Sequence, residues 1–472
     1  MGTRARPGLA GLQPNILLIH SDQHRYDCLG VNGHPLVQTP NLDRLAAGGV
    51  SFSHAFCPTP LCTPSRTSLL TGMWPSQHGC IANKGTEAYH PIDESVPTFS
   101  QALKAQGYYL GYVGKWQVGA NGGPTDYGFD DFVPDTAYMV WRKEQGLPPV
   151  PTHNGWFGEV DPGIRADQSG LAWGATQAMR LLMTAGRGER PFFIRWDPRE
   201  PHLPNIVPEP YASMYVPAQI PPWPSYPDPL AGKPYIQKQQ RRTWGVEQWT
   251  WRDWAPVVAR YLGDVSLLDH QVGRLLATLD DLGLARDTLV IYTTDHGDLC
   301  GGHGMLDKHF VMYEDLVHVP LIVRWPGQVT AGGRCDAFVS SALDVAATFC
   351  HAANAPIPAS FQGRSLLTTL TEPPDAGRKD IFAAYYGNQF GLYSQRMVRE
   401  RRWKYIWNAT AEDELYDLAA DPGEIVNLAG VVEYGGELQR LRLRLAEWMQ
   451  ETHDRLLNPW IKRQLSQPNA KV

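Results

Sequence analysis

Short apolar runs alternate with amphipathic segments along most of the chain, and polar residues follow the apolar runs. The first apolar run covers residues 15–20 and leads directly into Asp22 and Gln23. Residues 39–47 then show the apolar spacing of a helix, which a pair of glycines ends. This order of strand, polar tip and helix predicts one β–α unit.

The same order recurs further along the chain. The segments are a helix at 98–105 with a strand at 108–113, a strand at 191–196, and a helix at about 257–282 with a strand at 288–293. Repeated units of this kind predict an α/β fold with a large, mainly parallel sheet sandwiched by helices. Ligands of such sheets bind beyond the carboxyl ends of the strands. The polar residues expected at those ends are Asp22, Gln23, Lys115, His202, Asp295 and His296.

The last part of the chain has a different pattern, with short strand-like runs close together and one amphipathic helix near 438–448. The predicted strands are 380–386, 396–400 and 402–408. Short antiparallel strands with a helix are typical of a small α+β unit.

Two domains follow from these patterns. We predict a catalytic domain over residues 13–375 and a C-terminal subdomain over residues 376–472. Within the first, residues from about 135 to 255 are rich in Pro and Trp and are predicted to form a long loop insertion. Loops of this kind often carry specificity.

Composition and charge narrow the class of partner. The chain has 472 residues, of which 43% are hydrophobic and 19% charged, as in ordinary globular proteins. The formal net charge is −6, and no block of like charge marks a nucleic-acid or membrane-surface site. We therefore expect a small-molecule substrate, no nucleic acid and no membrane partner, with a homo-oligomer left open.

The first residues of the chain and its cysteines indicate the cellular compartment of the protein. The charged residues at the start are not followed by an apolar segment of signal-peptide type, and no apolar stretch reaches membrane-spanning length. Seven cysteines, an odd number without framework spacing, indicate reduced thiols. The sequence predicts a cytoplasmic protein.

Two pairs of polar residues at predicted strand ends form a candidate metal site. Asp22, Gln23, Asp295 and His296 offer three oxygen donors and one imidazole. Oxygen-rich ligation suits Ca²⁺, Mg²⁺ or Mn²⁺, and the imidazole favours Mn²⁺ more than an all-oxygen set would. Either pair alone is also typical of a helix N-cap or a satisfied polar turn.

Cys62 lies at the predicted start of a helix, with Pro64 suited to the first turn and Gly72 to the C-terminal end. The unpaired N–H groups and the macrodipole at such a start favour negative charge on a nucleophile and on a substrate. The alternative is a buried, inert cysteine.

The run from Cys62 to Arg66, followed by Leu-Thr-Gly72, resembles the sulfatase signature, in which a maturation enzyme converts the cysteine to formylglycine. Further runs resemble family landmarks in family order, over about residues 14 to 430. They begin at Asn15, Thr39, Gly114, Pro201, Asp295 and Leu415. The family belongs to the alkaline-phosphatase-like superfamily, and the pairing of Gln23 with His296 is similar to the choline-sulfatase, phosphonate-monoester-hydrolase and bacterial arylsulfatase branches.

The resemblance implies a role for each matching residue. One divalent cation, with Ca²⁺ expected and Mn²⁺ or Mg²⁺ as alternatives, would be bound by Asp22, Gln23, Asp295, His296 and the formylglycine made from Cys62. Arg66 and Lys115 would hold the formylglycine hydrate. Asn83, His202 and Lys308 would grip the sulfate group, and His202 would protonate the leaving oxygen. Many sulfatases carry His where this chain has Gln117, which cannot act as an acid or base.

Three functions stay open on these grounds. The first is hydrolysis of sulfate monoesters, in which one hydroxyl of the aldehyde hydrate attacks sulfur and the other expels sulfate. The second is a phosphonate monoester or phosphodiester hydrolase with the same centre. The third, from another class, is a catalytically silent binding protein in which Cys62 is never converted.

Overall fold

The computed structural model describes residues 13–152, 155–373, 376–387 and 393–467. In this part of the chain the strands are β1 Asn15–Ser21, β2 Val50–Phe52, β3 Ala55–Phe56, β4 Tyr109–Gly114, β5 Asp131–Pro134, β6 Glu159–Val160, β7 Phe192–Asp197, β8 Ile206–Val207, β9 Thr288–Thr294, β10 Leu321–Arg324, β11 Gly333–Cys335, β12 Val339–Ser340, β13 Asp380–Tyr385, β14 Gln395–Glu400, β15 Trp403–Asn408 and β16 Glu414–Asp417. The α-helices are α1 Pro40–Ala47, α2 Cys62–Thr71, α3 Pro75–His78, α4 Phe99–Ala105, α5 Ala137–Glu144, α6 Gly170–Ala185, α7 Tyr235–Trp244, α8 Trp251–Asp281, α9 Glu314–Val317, α10 Leu343–Ala352, α11 Leu366–Thr371, α12 Gly435–Glu451 and α13 Pro459–Ser466.

The largest sheet has eight strands in the order β11-β2-β10-β9-β1-β7-β4-β5. Strands β9, β1, β7, β4 and β5 run parallel to one another, and Ile16 at the centre pairs with Phe193 on one side and Leu289 on the other. Strand β10 is antiparallel to both of its neighbours. The prediction of a large, mainly parallel sheet is confirmed.

Alternate residues of β1 belong to separate cores on the two faces of the sheet. Leu17 packs with residues of α6 and α8 on one face, whereas Ile16 packs with residues of α2, α4 and α10 on the other. Every residue of β1 is buried, so the strand is a continuous apolar run, as expected for a sheet covered on both sides. Because helices cover both faces of the sheet, a site can form at the carboxyl ends of its strands.

The C-terminal part contains a four-stranded antiparallel sheet, β13-β14-β15-β16, covered by α12. Its core is continuous with the core on one face of the large sheet. The predicted strands and helix are present, and β16 and α13 are additional elements. The domain boundary predicted at 375 and 376 falls beside residues 374–375, which lie outside the described residues, as do the final residues 468–472. The domain limits stay a prediction.

The prediction of long loop material over residues 135–255 is wrong in its middle part. Residues 170–185 form α6, which packs on the sheet. The strand predicted at 191–196 is confirmed as β7, a central member of that sheet. Ser169 caps α6 by accepting a hydrogen bond from the backbone N–H of Ala172 at 3.2 Å. Glycines and threonine inside α6 weaken its helical pattern, and tertiary packing stabilises it.

Helix α8 starts earlier than its sequence pattern indicates. The pattern predicts a start near residue 257, after Pro256, whereas the helix begins at Trp251 with a capping box between Thr250 and Asp253. Its apolar face covers the sheet next to α6. None of the described helices combines the length and the apolar character that a membrane crossing requires.

Candidate active site

Four side chains from three separate segments meet at the carboxyl end of the large sheet. Asp22 follows β1, Asp295 and His296 follow β9, and Cys62 is the first residue of α2. One ligand atom from each lies within 4.8 Å of the others, and all four residues are buried. The predicted convergence of strand ends thus brings two carboxylates, an imidazole and a thiol to one point.

Cys62 lies at the centre of this group. Its Sγ is 3.3 Å from Nε2 of His296 and 4.0 Å from Oδ1 of Asp22. Burial by itself raises the pKa of the thiol, but the charges of Lys115 and Lys308 hold that pKa well below its usual range. A cysteine in such surroundings is a reactive position rather than an inert one.

Helix α2 is buried along its whole length and presents its amino end to the site. The side-chain oxygen of Asn83 accepts a hydrogen bond from the backbone N–H of Thr63 at 3.0 Å. Gly72 ends the helix in the left-handed region, with φ of 63°. The structure therefore places Asn83 beside the start of α2, where Cys62 lies. Its predicted contact with the sulfate group of a substrate stays a prediction.

Gln23 is held in a strained backbone conformation, with φ of 64°. Its backbone N–H donates to Oδ1 of Asp295 at 3.0 Å, and its carbonyl accepts from the hydroxyl of Tyr261 at 2.9 Å. These two bonds fix the conformation. The first links the ends of β1 and β9, and the second links the end of β1 to α8.

The orientation of the Gln23 amide is set by its neighbours. Nε2 donates to Asp298 at 2.6 Å and to Asp307 at 3.0 Å, while Oε1 accepts from Nζ of Lys308 at 2.7 Å. A flipped amide would set its oxygen against two carboxylates and its N–H₂ against an ammonium group. The amide oxygen of Gln23 therefore faces Lys308, and it is the atom through which the predicted contact with a cation would be made.

Arg66 contacts three buried carboxylates. Nε donates to Asp295 at 2.9 Å, Nη1 to Asp197 at 2.6 Å and Nη2 to Asp22 at 3.1 Å. The resemblance implies contact with the formylglycine hydrate, whereas in this structure the guanidinium group contacts these carboxylates and the carbonyl oxygen of Lys115, at 3.2 Å. Arg66 thus positions the acidic residues of the site.

Asp197, at the end of β7, is a member of the site that the sequence interpretation missed. Besides Arg66, its carboxylate accepts from Arg195 at 2.6 Å and from the hydroxyl of Tyr112 at 2.9 Å, and it lies 3.2 Å from Nδ1 of His20. All of these residues are buried. A carboxylate at the end of a predicted strand is the signal that could have found it.

Lys115 reaches the site because a glycine precedes it. Gly114 has φ of 112°, and a Cβ there would lie 2.0 Å from the carbonyl oxygen of Asp197. The backbone N–H of Lys115 donates to that same oxygen at 2.9 Å. Its ammonium group forms an ion pair with Asp22. The strand end therefore aims a cationic side chain at the candidate metal ligands.

His202 and Lys308 form a pair on the opposite side of Cys62. Nδ1 of His202 donates to the carbonyl oxygen of Leu203 at 2.5 Å, so its Nε2 accepts from Nζ of Lys308 at 2.9 Å. Burial lowers the pKa of Lys308, but the charges of Asp307 and Cys62 raise it above its usual range. Lys308 therefore stays charged and is the donor in its hydrogen bond with His202.

A cleft of about 750 Å³ opens above these groups. It is lined by Cys62, Asn83, Lys115, Gln117, Gly155, Trp156, Phe157, Arg199, His202, Leu203, Thr243, Trp244, Asp307 and Lys308. Every residue predicted to grip an anionic group lies on this wall. The arrangement sets cations and donors around the space in front of Cys62, which suits a sulfuryl or phosphoryl group.

The donor set fits a divalent cation. Burial raises the pKa of Asp22, but the charges of Lys115 and Arg66 hold it well below its usual range, so this carboxylate is ionised. Nδ1 of His296 donates to the carbonyl oxygen of Gly297 at 2.8 Å, which leaves Nε2 as the ligand atom. Burial lowers the pKa of His296, but Asp295 and Cys62 raise it to about 9, and a bound cation would take the place of that proton.

Comparison with known proteins gives the family. The sequence model described as Sulfatase matches residues 14–355, and the one described as N-sulphoglucosamine sulphohydrolase, C-terminal, matches residues 301–451. The chain belongs to the sulfatase family, whose members are sulfuric ester hydrolases of the alkaline-phosphatase-like superfamily.

Individual relatives match along most of their length. Arylsulfatase of Clostridium perfringens is 28% identical over 91% of this chain and 93% of its own. Human arylsulfatase A is 28% identical over 89% of this chain and 84% of its own. The crystal structure of phosphonate monoester hydrolase of Agrobacterium radiobacter is similar with a TM-score of 0.81 and 27% identity, over 94% of this chain and 96% of that one.

Proposed function

We propose that this protein hydrolyses sulfate monoesters with a formylglycine hydrate derived from Cys62, beside one divalent cation. The observation that carries the proposal is the position of Cys62 at the start of α2, within 4.8 Å of ligand atoms of Asp22, Asp295 and His296. Conversion by a formylglycine-generating enzyme would replace the thiol by an aldehyde, whose hydrate offers two hydroxyl groups at that point.

The cation would be held by Asp22, Gln23, Asp295, His296 and residue 62. It would lower the pKa of a hydroxyl of the hydrate and so supply a nucleophile near neutral pH. Oxygen donors dominate the set, which favours Ca²⁺ over softer ions, with Mn²⁺ or Mg²⁺ as alternatives. Arg66 keeps the two carboxylates in place through its hydrogen bonds.

The residues that line the cleft bind and orient the sulfate group. Lys115, Lys308 and Asn83 supply positive charge and a polar amide around its oxygens. His202 lies where the alcohol departs, and its Nε2 accepts a hydrogen bond from Lys308. The ammonium group of Lys308 holds the proton of this pair. In the proposed reaction it would pass to Nε2 of His202 and from there to the leaving oxygen, and Lys308 would take up a proton from solvent afterwards.

A phosphonate monoester or phosphodiester hydrolase is the second candidate. Gln23 and His296 are both present, as the resemblance to the phosphonate-monoester-hydrolase branch requires, and a phosphonate monoester hydrolase is among the similar structures. The two reactions use the same groups, because sulfuryl and phosphoryl transfer both need stabilisation of equatorial oxygens.

An assay panel separates the candidates. The purified protein, with Ca²⁺ present, is offered a sulfate monoester, a phosphonate monoester and a phosphodiester of one common phenol. We expect the highest kcat/KM for the sulfate monoester. A higher value for the phosphonate monoester or the phosphodiester would replace the proposal by the second candidate, and turnover of none of them would support a silent binding protein.

A further inference from the structure

The cleft above Cys62 has two chemically different parts. Its floor carries the charged and polar groups described above. Its mouth carries three aromatic side chains from two separate segments, Trp156 and Phe157 from one and Trp244 at the end of α7. The charged and polar groups suffice to bind the anionic sulfate group. The aromatic side chains are therefore available to bind the alcohol part of the substrate.

The aromatic mouth rests on a chain of ring contacts that reaches the core. Phe157 lies 6.5 Å from Trp244 and 4.7 Å from Trp249, measured between ring centroids, and Trp249 lies 4.8 Å from Trp254. Trp254 is fully buried. Contacts of this kind hold aromatic rings in place, so the wall is formed before a substrate arrives.

Trp156 contrasts with these supporting rings. It lines the cleft, yet 52% of its side chain is exposed to solvent. Trp156 therefore presents apolar surface to solvent on the wall of the same cleft that Cys62 lines. Of the tryptophans described between residues 223 and 254, Trp244 is the one that lines the cleft, and Trp223 and Trp254 are buried in apolar clusters.

We propose that Trp156, Phe157 and Trp244 bind the alcohol part of the substrate, and that this alcohol carries a ring with a broad apolar face. The inference rests on the proposed function and adds the substrate class to it. A ring has two faces that can lie against aromatic side chains, whereas a short alkyl chain offers little area for such contact. Leu203, which follows His202 in the chain, adds a further apolar side chain to the lining of the cleft.

Phenols and pyranose sugars share this ring chemistry, and the experiment tells them apart. The substrates are phenyl sulfate, a pyranose 6-sulfate and a short straight-chain alkyl sulfate. The variants are Trp156→Ala and Trp244→Ala, each compared with the wild type on the same substrate, so that differences in intrinsic reactivity cancel. Trp460→Ala is the control, because Trp460 lies on α13 and is 74% exposed.

Loss of one stacking partner is expected to raise KM for a ring-bearing sulfate about tenfold while kcat changes less, since about 1.4 kcal/mol of binding is a factor of ten. The alkyl sulfate should stay within about twofold of the wild type in both variants, and Trp460→Ala should change nothing. A rise in KM for phenyl sulfate or for the pyranose sulfate, without one for the alkyl sulfate, supports the inference. The substrate that is affected shows which kind of ring the three aromatic side chains bind.

Two results would overturn it. Equal losses on all three substrates, or no loss in either variant, contradict the assignment of the wall while leaving sulfate hydrolysis intact. A wild-type protein that hydrolyses none of the three esters contradicts the proposed function itself. Unfolding midpoints of the variants, measured alongside, identify a loss that comes from misfolding.

Discussion

Nη1 of Arg66 donates to Oδ2 of Asp197 at 2.6 Å, and both side chains are completely buried. Asp197 belongs to β7 and Arg66 to α2, so this ion pair joins the sheet to the helix that begins at Cys62. Arg195 and Tyr112 also donate to the same carboxylate. The charge of Asp197 therefore sets the position of the arginine that holds Asp22 and Asp295.

We predict that Asp197→Asn destabilises the protein strongly. Replacing the carboxylate by an amide removes the negative charge that faces Arg66 and Arg195, both buried. Breaking a buried pair in this way costs about 3–5 kcal/mol, because a charge is left uncompensated. Urea unfolding followed by circular dichroism measures the change.

The matched control is Asp167→Asn. Asp167 pairs with Arg165 at 3.0 Å, but both side chains are about two-thirds exposed or more. Exposed pairs contribute about 0–1 kcal/mol, so this variant should unfold near the wild-type midpoint. Similar midpoints for both variants would show that the buried network does not stabilise the site.

Substitution of Gly114 tests whether a glycine is needed there to direct Lys115 into the site. Gly114→Ala would place a methyl group 2.0 Å from the carbonyl oxygen of Asp197 at a φ of 112°. We expect a loss of at least about 3 kcal/mol and displacement of Lys115. Gly123→Ala is the control, since no atom lies within 4 Å of a Cβ at Gly123, and it should change stability by less than about 1 kcal/mol. An unfolding midpoint of Gly114→Ala equal to that of the wild type would contradict the close approach between Gly114 and the carbonyl oxygen of Asp197.

Asp298 tests the orientation of the Gln23 amide. Asp298→Ala removes one of the two carboxylates that accept from Nε2, which frees the amide to turn. We expect the dissociation constant for Ca²⁺, measured by calorimetry, to rise about 10–100-fold, the usual effect of losing a residue that orients a metal ligand. An unchanged constant would show that Gln23 does not bind the cation through a fixed amide oxygen.

Removal of the cation should affect both stability and turnover. A chelator is expected to lower the thermal unfolding midpoint, because an ion present at about 100 times its dissociation constant stabilises the fold by about 2.7 kcal/mol. Turnover should be lost and return when Ca²⁺ is added in excess. Full turnover in the presence of the chelator would contradict a role for the cation bound by Asp22 and Asp295.

The sequence predicts the parts of this structure that depend on regular patterns. Strands β1 and β9 are found because buried parallel strands are continuous apolar runs, and the polar residues behind them then fall at one edge of the sheet. Asp197 is missed although it ends a predicted strand, because the local pattern does not reveal its partners. Arg195 lies on the same strand, whereas His20, Arg66 and Tyr112 come from other elements.

Other features depend on irregular backbone, which patterns do not describe. Asp307 and His309 have positive φ values of 67° and 87°, in a segment without helical or strand periodicity. The placement of Lys308 between them, against Gln23 and His202, follows from tertiary contacts rather than from local preference. The helix α6 is likewise stabilised by packing against the sheet, which its composition does not indicate.

The proposed function depends most directly on the conversion of Cys62 to formylglycine. The peptide that contains Cys62 is analysed by mass spectrometry in the same preparation whose release of sulfate from phenyl sulfate is measured. We expect the CH₂SH group of Cys62 to be replaced by an aldehyde, and turnover to rise in proportion to the converted fraction across preparations. Full turnover in a preparation in which the thiol of Cys62 is intact would contradict it.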